Sequence, residues 1–252
     1  MSKFHQLLAV VNDRQNQMVA FIEEAVTTFK KKPEHFDGLD RTFTSIEEDG
    51  KKLAPESKEV VTTVGEKILF AADQIANGFD ASISKEMTNS SGTAKAVLTV
   101  SGKKIGEYSA TALLAMETHL TKIRRMYQAI PTRDGNVRWA EDTDLGRGIV
   151  RTPETQVSRL EKRQKPTLLA EATPQHKAQV ELVPYDAVVG SWKTIVRTGK
   201  ISSAEKADLL ERTDVVIDAV KSARAQANDV NVVETKVAGK LFKFINGTTF
   251  EA

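Results

Sequence analysis

Cysteine is absent from the chain. Disulfide staples, thiolate nucleophiles and cysteine-ligated zinc or iron–sulfur sites are excluded with it. Long hydrophobic runs are missing as well: no window approaches the ~18 consecutive apolar residues of a membrane span. Neither sign of charge dominates, since 36 basic and 34 acidic residues leave a net charge of +2. That balance argues against a globally electrostatic nucleic-acid or membrane binder and leaves room only for a local basic patch. Histidine is scarce, with four in 252 residues, at His5, His35, His119 and His176. The apolar fraction, 40% with aromatics counted, is low for a compact globule, whereas 28% charged residues suit long helices with solvated faces.

Signatures of chemistry are equally sparse. No Walker sequence occurs, and no Gly-x-Ser-x-Gly elbow presents a serine. Gly146-x-Gly148 lacks the third glycine of a dinucleotide fingerprint, because Arg151 stands there. Asp142-Thr143-Asp144-Leu145-Gly146 opens like a calcium loop, but its sixth and twelfth positions hold Arg147 and Pro153. Glu117 and His119, two apart on a helix, point in different directions, so His119 reads as a partly buried structural histidine. No catalytic, cofactor-binding or metal-ligating residue is assigned, and no cofactor is expected. A hydrolase or metal-dependent enzyme would have to use an unfamiliar site in the loop from Asp134 to Asp144.

What is present is helical periodicity. Apolar residues recur in steps of three and four along Phe4–Leu8–Val11–Gln15–Met18–Ile22–Ala25–Phe29 and along Val61–Val64–Ile68–Ala71–Ile75. They do so again along Leu113–Met116–Leu120–Ile123–Tyr127–Ile130 and Leu209–Val216–Val220–Ala223–Ala227. Each is a narrow seam that faces another helix. The first helix spans about 3–31 and stops at Pro33. The second is expected from Pro55-Glu56 to Asn77-Gly78, and the third from Ser109 to Ile130. Ser202-x-x-Glu205 is a capping box that opens the fourth, which ends near Asn228.

Between these helices lies material of a different kind. Residues 33–54 read as an irregular connector pinned by Phe36, Leu39, Phe43 and Ile46. Alternation from Ala94 to Val100, a Ser101-Gly102 reversal and a short partner to Glu107 predict a hairpin over 94–107. Residues 132–200 lose helical periodicity. Val137–Ala140 and Ile149–Arg151 flank one loop, Thr167–Glu171 and Gln179–Val183 flank another, and Val188–Val196 is extended or briefly helical. The fold expected is α+β: one domain over 1–252, predominantly a helical bundle. Residues 1–131 form its helical part, 132–200 a loop-rich β insertion, and 201–252 a helix with a docking tail.

The stretch from Gln164 to Gly199, QKPTLLAEATPQHKAQVELVPYDAVVGSWKTIVRTG, resembles a family of bacterial and phage-associated proteins of about this length, as do MSKFHQLLAVVND and the third-helix ending AIPT. Lys165-Pro166 through Glu171-Ala172-Thr173-Pro174 is its most specific part. The family is uncharacterised, so the resemblance implies a full-length bacterial or phage protein and carries over no catalytic or binding residue.

The functional expectation is a non-enzymatic, cytoplasmic protein that self-associates into a homo-oligomeric scaffold, with itself as partner and no membrane involved. The amino terminus has no small-residue cleavage site and reads as an amphipathic helix rather than a signal peptide. The candidate interface is the first-helix seam of Phe4, Leu8, Val11, Gln15, Met18 and Ile22, in which polar Gln15 sets register, together with Leu241, Phe242, Phe244 and Ile245 of the tail. The alternative is nucleic-acid binding through the basic segment 122–165, with Lys122, Arg124, Arg125, Arg138, Trp139, Arg159 and Arg163 contacting phosphates and bases. The competing explanation of those charges is an ion-paired surface.

Overall fold

The computed structural model describes residues 4–48, 50–172, 174 and 176–229. Its elements run α1 (Phe4–Lys31), a short 3-10 turn (Pro33–Phe36), β1 (Asp37–Ser45), β2 (Glu56–Lys58) and α2 (Val64–Asn89). There follow β3 (Lys95–Val100), β4 (Lys103–Ser109), α3 (Ala110–Gln128), β5 (Ala140–Glu141) and β6 (Val150–Arg151). The chain continues with β7 (Thr155–Ala170), β8 (Gln179–Thr198) and α4 (Ser203–Ala227).

Most positions of the helical seams are covered inside the chain, although Leu8 and Val61 are exposed and Val61 precedes α2. Met18, Ile22, Ala25 and Phe29 of α1 pack with Val64, Ala71 and Ile75 of α2, Phe36, and Met126 and Ile130 at the end of α3. A second cluster joins Leu113 and Met116 of α3 to Ala96 and Leu98 of β3 and to Val220, Ala223 and Ala227 of α4. Thr63 and Glu66 cap α2 reciprocally, and Ser202 and Glu205 do the same for α4, which satisfies backbone N–H groups that a helix start leaves open. Gly78 is not a stop signal. It sits within α2, where a Cβ would lie 2.5 Å from the Arg14 carbonyl and 2.6 Å from the Met18 Cβ. The absent side chain is what allows α1 and α2 to approach so closely.

The second layer is a six-stranded antiparallel sheet built on β8. Gly190–Thr198 of β8 pairs with the whole of β1 on one side. On the other side β7 pairs along Gln179–Thr194, and β6 with β5 beyond it completes the edge. A bulge interrupts the β7–β8 ladder, Arg159 pairing with Gly190 and Leu160 with Val188, so that Val189 is the extra residue. Gly190 lets the Phe43 ring lie against the strand, since a Cβ there would meet it at 2.3 Å. Phe43 packs at a tilt against Trp192 with centroids 5.2 Å apart, and the Arg41 guanidinium covers Trp192 at 4.3 Å.

Several expectations are corrected. The molecule is not predominantly a helical bundle, because β7 and β8 are strands of 16 and 20 residues in a large antiparallel sheet. Residues 33–54 contain β1, a nine-residue strand. Its outward Thr42 and Thr44 are exposed, which masks the alternation of its inner face. The second helix begins eight residues later than Pro55-Glu56 and continues eleven past Gly78, to Asn89. The hairpin is found as β3–β4, with a turn at Ser101-Gly102 in the left-handed region.

Candidate functional site

Beyond Leu160 and Val188 the β7–β8 hairpin leaves the sheet. β1 ends its pairing at Gly190, so the distal ribbon, with about ten residues per strand, reaches ~35 Å as two strands alone. Register assigns its side chains. The pairs Leu160/Val188, Lys162/Asp186, Gln164/Pro184, Pro166/Leu182 and Leu168/Val180 share one face. Glu161/Ala187, Arg163/Tyr185, Lys165/Val183 and Thr167/Glu181 share the other.

The two faces differ. The first is an apolar stripe in which Leu160, Leu168, Val180, Leu182 and Val188 are 49% to 56% exposed. The second is mainly polar and is tied to the body: Arg163 donates to both Glu47 carboxylate oxygens, at 2.6 and 3.1 Å. Hydrogen bonding from that guanidinium holds the Glu47 carboxyl below its ordinary pKa. The Arg159 guanidinium lies 5.8 Å from the Phe43 ring centroid. The arm is therefore anchored at its root through one face and leaves the other uncovered.

Pro166 and Pro184 lie one in each strand of this ribbon. A proline has no N–H to give to a ladder, so in a two-stranded ribbon it stands where that N–H would face outward. Each free edge thus loses a donor that an incoming strand would need. The face is open while the edges are guarded.

The residues expected to form an interface lie elsewhere. Val11, Met18 and Ile22 are buried in the chain's own core, and Gln15 donates to Ser82 Oγ of α2 at 2.8 Å. The first-helix seam thus faces α2. Phe4 is half-buried, and Leu8 is exposed. Leu241, Phe242, Phe244 and Ile245 lie outside the described residues.

The basic segment is divided between α3, β7 and the loops that join them, and several of its arginines are ion-paired. Arg124 on α3 grips Asp214 of α4 at 2.5 and 2.8 Å. Lys122 is half-buried, and Arg125 and Arg138 are exposed. Arg159 contacts Glu161 at 3.4 Å, and Trp139 donates its indole N–H to the Asp134 carbonyl at 2.8 Å. Arg147 binds Glu66 at 2.7 and 2.8 Å, and those hydrogen bonds hold the Glu66 carboxyl at a pKa of about 2.

The loop considered for unfamiliar chemistry is structural at its centre. Asp142 is 1% exposed, and one of its oxygens accepts the Asp144 and Leu145 N–H groups, both at 3.2 Å. The other accepts Arg197 Nε at 2.7 Å, and Arg197 also pairs with Asp40. Clefts of about 300 and 460 Å³ flank this loop, yet their arginines Arg147, Arg197 and Arg133 already hold carboxylates. Among the described residues no three metal-capable side chains cluster.

A serine–histidine contact exists inside the helices, His119 Nε2 lying 2.9 Å from Ser82 Oγ. Both residues are buried, and burial, with a smaller contribution from Lys122, keeps the imidazole below its ordinary pKa. The Phe79 ring packs on His119 at 5.5 Å. With Gln15 also on Ser82, this is a packed polar cluster that joins α1, α2 and α3.

Sequence reasoning missed Leu160, Lys162, Leu182, Pro184, Asp186 and Val188 as a group. Val180, Leu182 and Val188 fall at even positions, but Val183, Tyr185 and Ala187 between them blur the alternation, so the shared face becomes legible only once the strands are paired. No helix among the described residues is long and apolar enough to cross a membrane. Comparison with curated proteins and with solved structures gives no match. Residues 1–248 do match one family, and on that ground the chain belongs to the family of unknown function DUF7873.

Proposed function

We propose that this protein is a non-enzymatic, cytoplasmic scaffold that assembles with copies of itself through the β arm. The observation that carries the reading is the uncovered apolar face of a ribbon whose other face is tied to the body. Full burial of a Leu or Val side chain is worth ~1.5–3 kcal/mol, and each of these five leaves about half of that unrealised in a single chain. A ribbon held out in water with such a face gains from a partner. Nucleic-acid binding through 122–165 draws less support, because Arg124, Arg159 and Arg163 are engaged by Asp214, Glu161 and Glu47.

The test is native mass by light scattering on a sizing column, for the wild type and for a chain with residues 162–186 replaced by Asn-Gly. Glu161 and Ala187 are directly paired, so a two-residue turn closes the shortened hairpin. The wild type is expected as an oligomer and the shortened chain as a folded monomer. A wild-type monomer across the micromolar range removes this reading.

A further inference from the structure

We infer that two copies join as a parallel pair, the apolar faces of their arms in contact and the two-fold axis running along the arms. This rests on the assembly reading above and specifies its partner as the same arm of a second copy. One charged rung interrupts the apolar stripe. Lys162 and Asp186 stand opposite each other in the ladder, both exposed. Neither makes an ion pair among the described residues.

Three ways of joining two such ribbons differ in what they bring together. Edge-to-edge addition requires outward backbone donors, and Pro166 and Pro184 each take one from the middle of their edge. Face-to-face packing about a two-fold across the arms places each β7 on the other β7. Depending on where the axis falls, Lys162 then meets Lys162 or lies over an apolar rung.

A two-fold along the arms places β7 of one copy on β8 of the other, rung by rung. Lys162 then faces Asp186 on both sides of the axis, and Leu160 faces Val188. Pro166 faces Leu182, and Leu168 faces Val180. Gln164 faces Pro184. On every other rung an apolar side chain meets an apolar one or a charge meets its opposite, as an isologous contact requires. Two-stranded ribbons twist strongly, and an axis along their length lets these facing rungs stay matched while the ribbons coil together.

Charge reversal with mixing tests this arrangement. Lys162→Glu and Asp186→Lys, each alone, place like charges face to face twice and are expected to raise the dimer Kd about 100-fold. Mixed in equal amounts, the two variants match opposite charges at both contacts, and the mixture is expected to return to the wild-type mass. A role confined to one chain cannot give rescue on mixing, because each variant keeps its own like-charged rung. Leu182→Glu on the same face is expected to dissociate the pair. Lys165→Glu on the other face is expected to leave it intact.

Far-ultraviolet circular dichroism checks that each variant stays folded; if a charge-reversed chain does not, an unchanged mass for Leu182→Glu, or dissociation by Lys165→Glu, overturns contact through the apolar face and the parallel pairing with it. An oligomeric wild type whose charge-reversed variants keep their mass, or fail to rescue each other, overturns the parallel pairing and leaves assembly standing. A monomeric wild type overturns both.

Discussion

The helical body and the β arm both carry narrow rows of apolar side chains, yet the rows meet opposite fates. In the body, Met18 and Leu113 are 0% exposed, and polar Gln15 finds Ser82 within the same chain. In the arm, Leu160 and Leu182 are each 56% exposed, and polar Lys162 finds no such partner. The difference follows from connectivity. A helix returns antiparallel to its neighbour through a loop and brings its seam against another seam. A hairpin returns edge to edge, which satisfies the backbone but leaves both faces to whatever comes next. A seam is therefore evidence of a partner, and topology decides whether the partner is in the same chain.

The contrast predicts a ranked set of effects on the stability of the single chain. Leu113→Ala should cost ~2–5 kcal/mol in urea unfolding by opening a cavity between α3, α4 and the β3–β4 hairpin. Leu182→Ala should cost nearly nothing in a preparation held monomeric. If the two losses were equal, the body and the arm would be one cooperative packing unit and the contrast would collapse.

Gly78→Ala comes next, at ~1–3 kcal/mol, because its methyl group must push against the Arg14 carbonyl and the α1 backbone. Ser202→Ala should cost ~1 kcal/mol through loss of the α4 cap. Arg147→Ala should have the smallest effect of the series, since its pair with Glu66 is exposed to solvent and screened.

The pH response separates two parts of the body. His119 has its folded pKa below the unfolded value, so its contribution is fully present above about 6.5 and falls as pH drops through that value toward the folded pKa. Glu66 is also lowered in the folded state, to about 2. Its small contribution is present above the ordinary carboxylate range and disappears as pH falls from about 4.5 toward 2. Denaturation midpoints measured between pH 7 and 5 should therefore decline in the wild type and decline less in His119→Gln. An identical decline in both would remove His119 from the account.

Much of the body was readable from the chain. Spacings of three and four placed the four helices, and Ser202-x-x-Glu205 marked the start of α4. Ser101-Gly102 marked the turn of the β3–β4 hairpin. What failed did so for physical reasons. Asn77-Gly78 looks like a helix end because glycine serves both at stops and at close helix contacts, and only the neighbouring α1 tells them apart. Pro55 drew the α2 start forward, although the working cap is Thr63 with Glu66. The long strands were hidden because an exposed ribbon alternates against charge and proline rather than against a core. The first-helix seam was legible as a seam, but the sequence did not contain the fact that α2 covers it.

Val189 carries a consequence for shape. As the extra residue of the bulge it bends β8 where the arm departs, and its carbonyl receives the Ile46 N–H at 3.2 Å, which fixes the bend to the chain after β1. Removing it would leave Leu160 opposite Val188 and Arg159 opposite Gly190, so every side chain would keep its face while the strand straightened. In a pair joined along the arms, the two-fold doubles that bend into the angle between the two bodies. One residue thus acts as a goniometer for the assembly, setting the opening of the pair independently of the chemistry that holds it together.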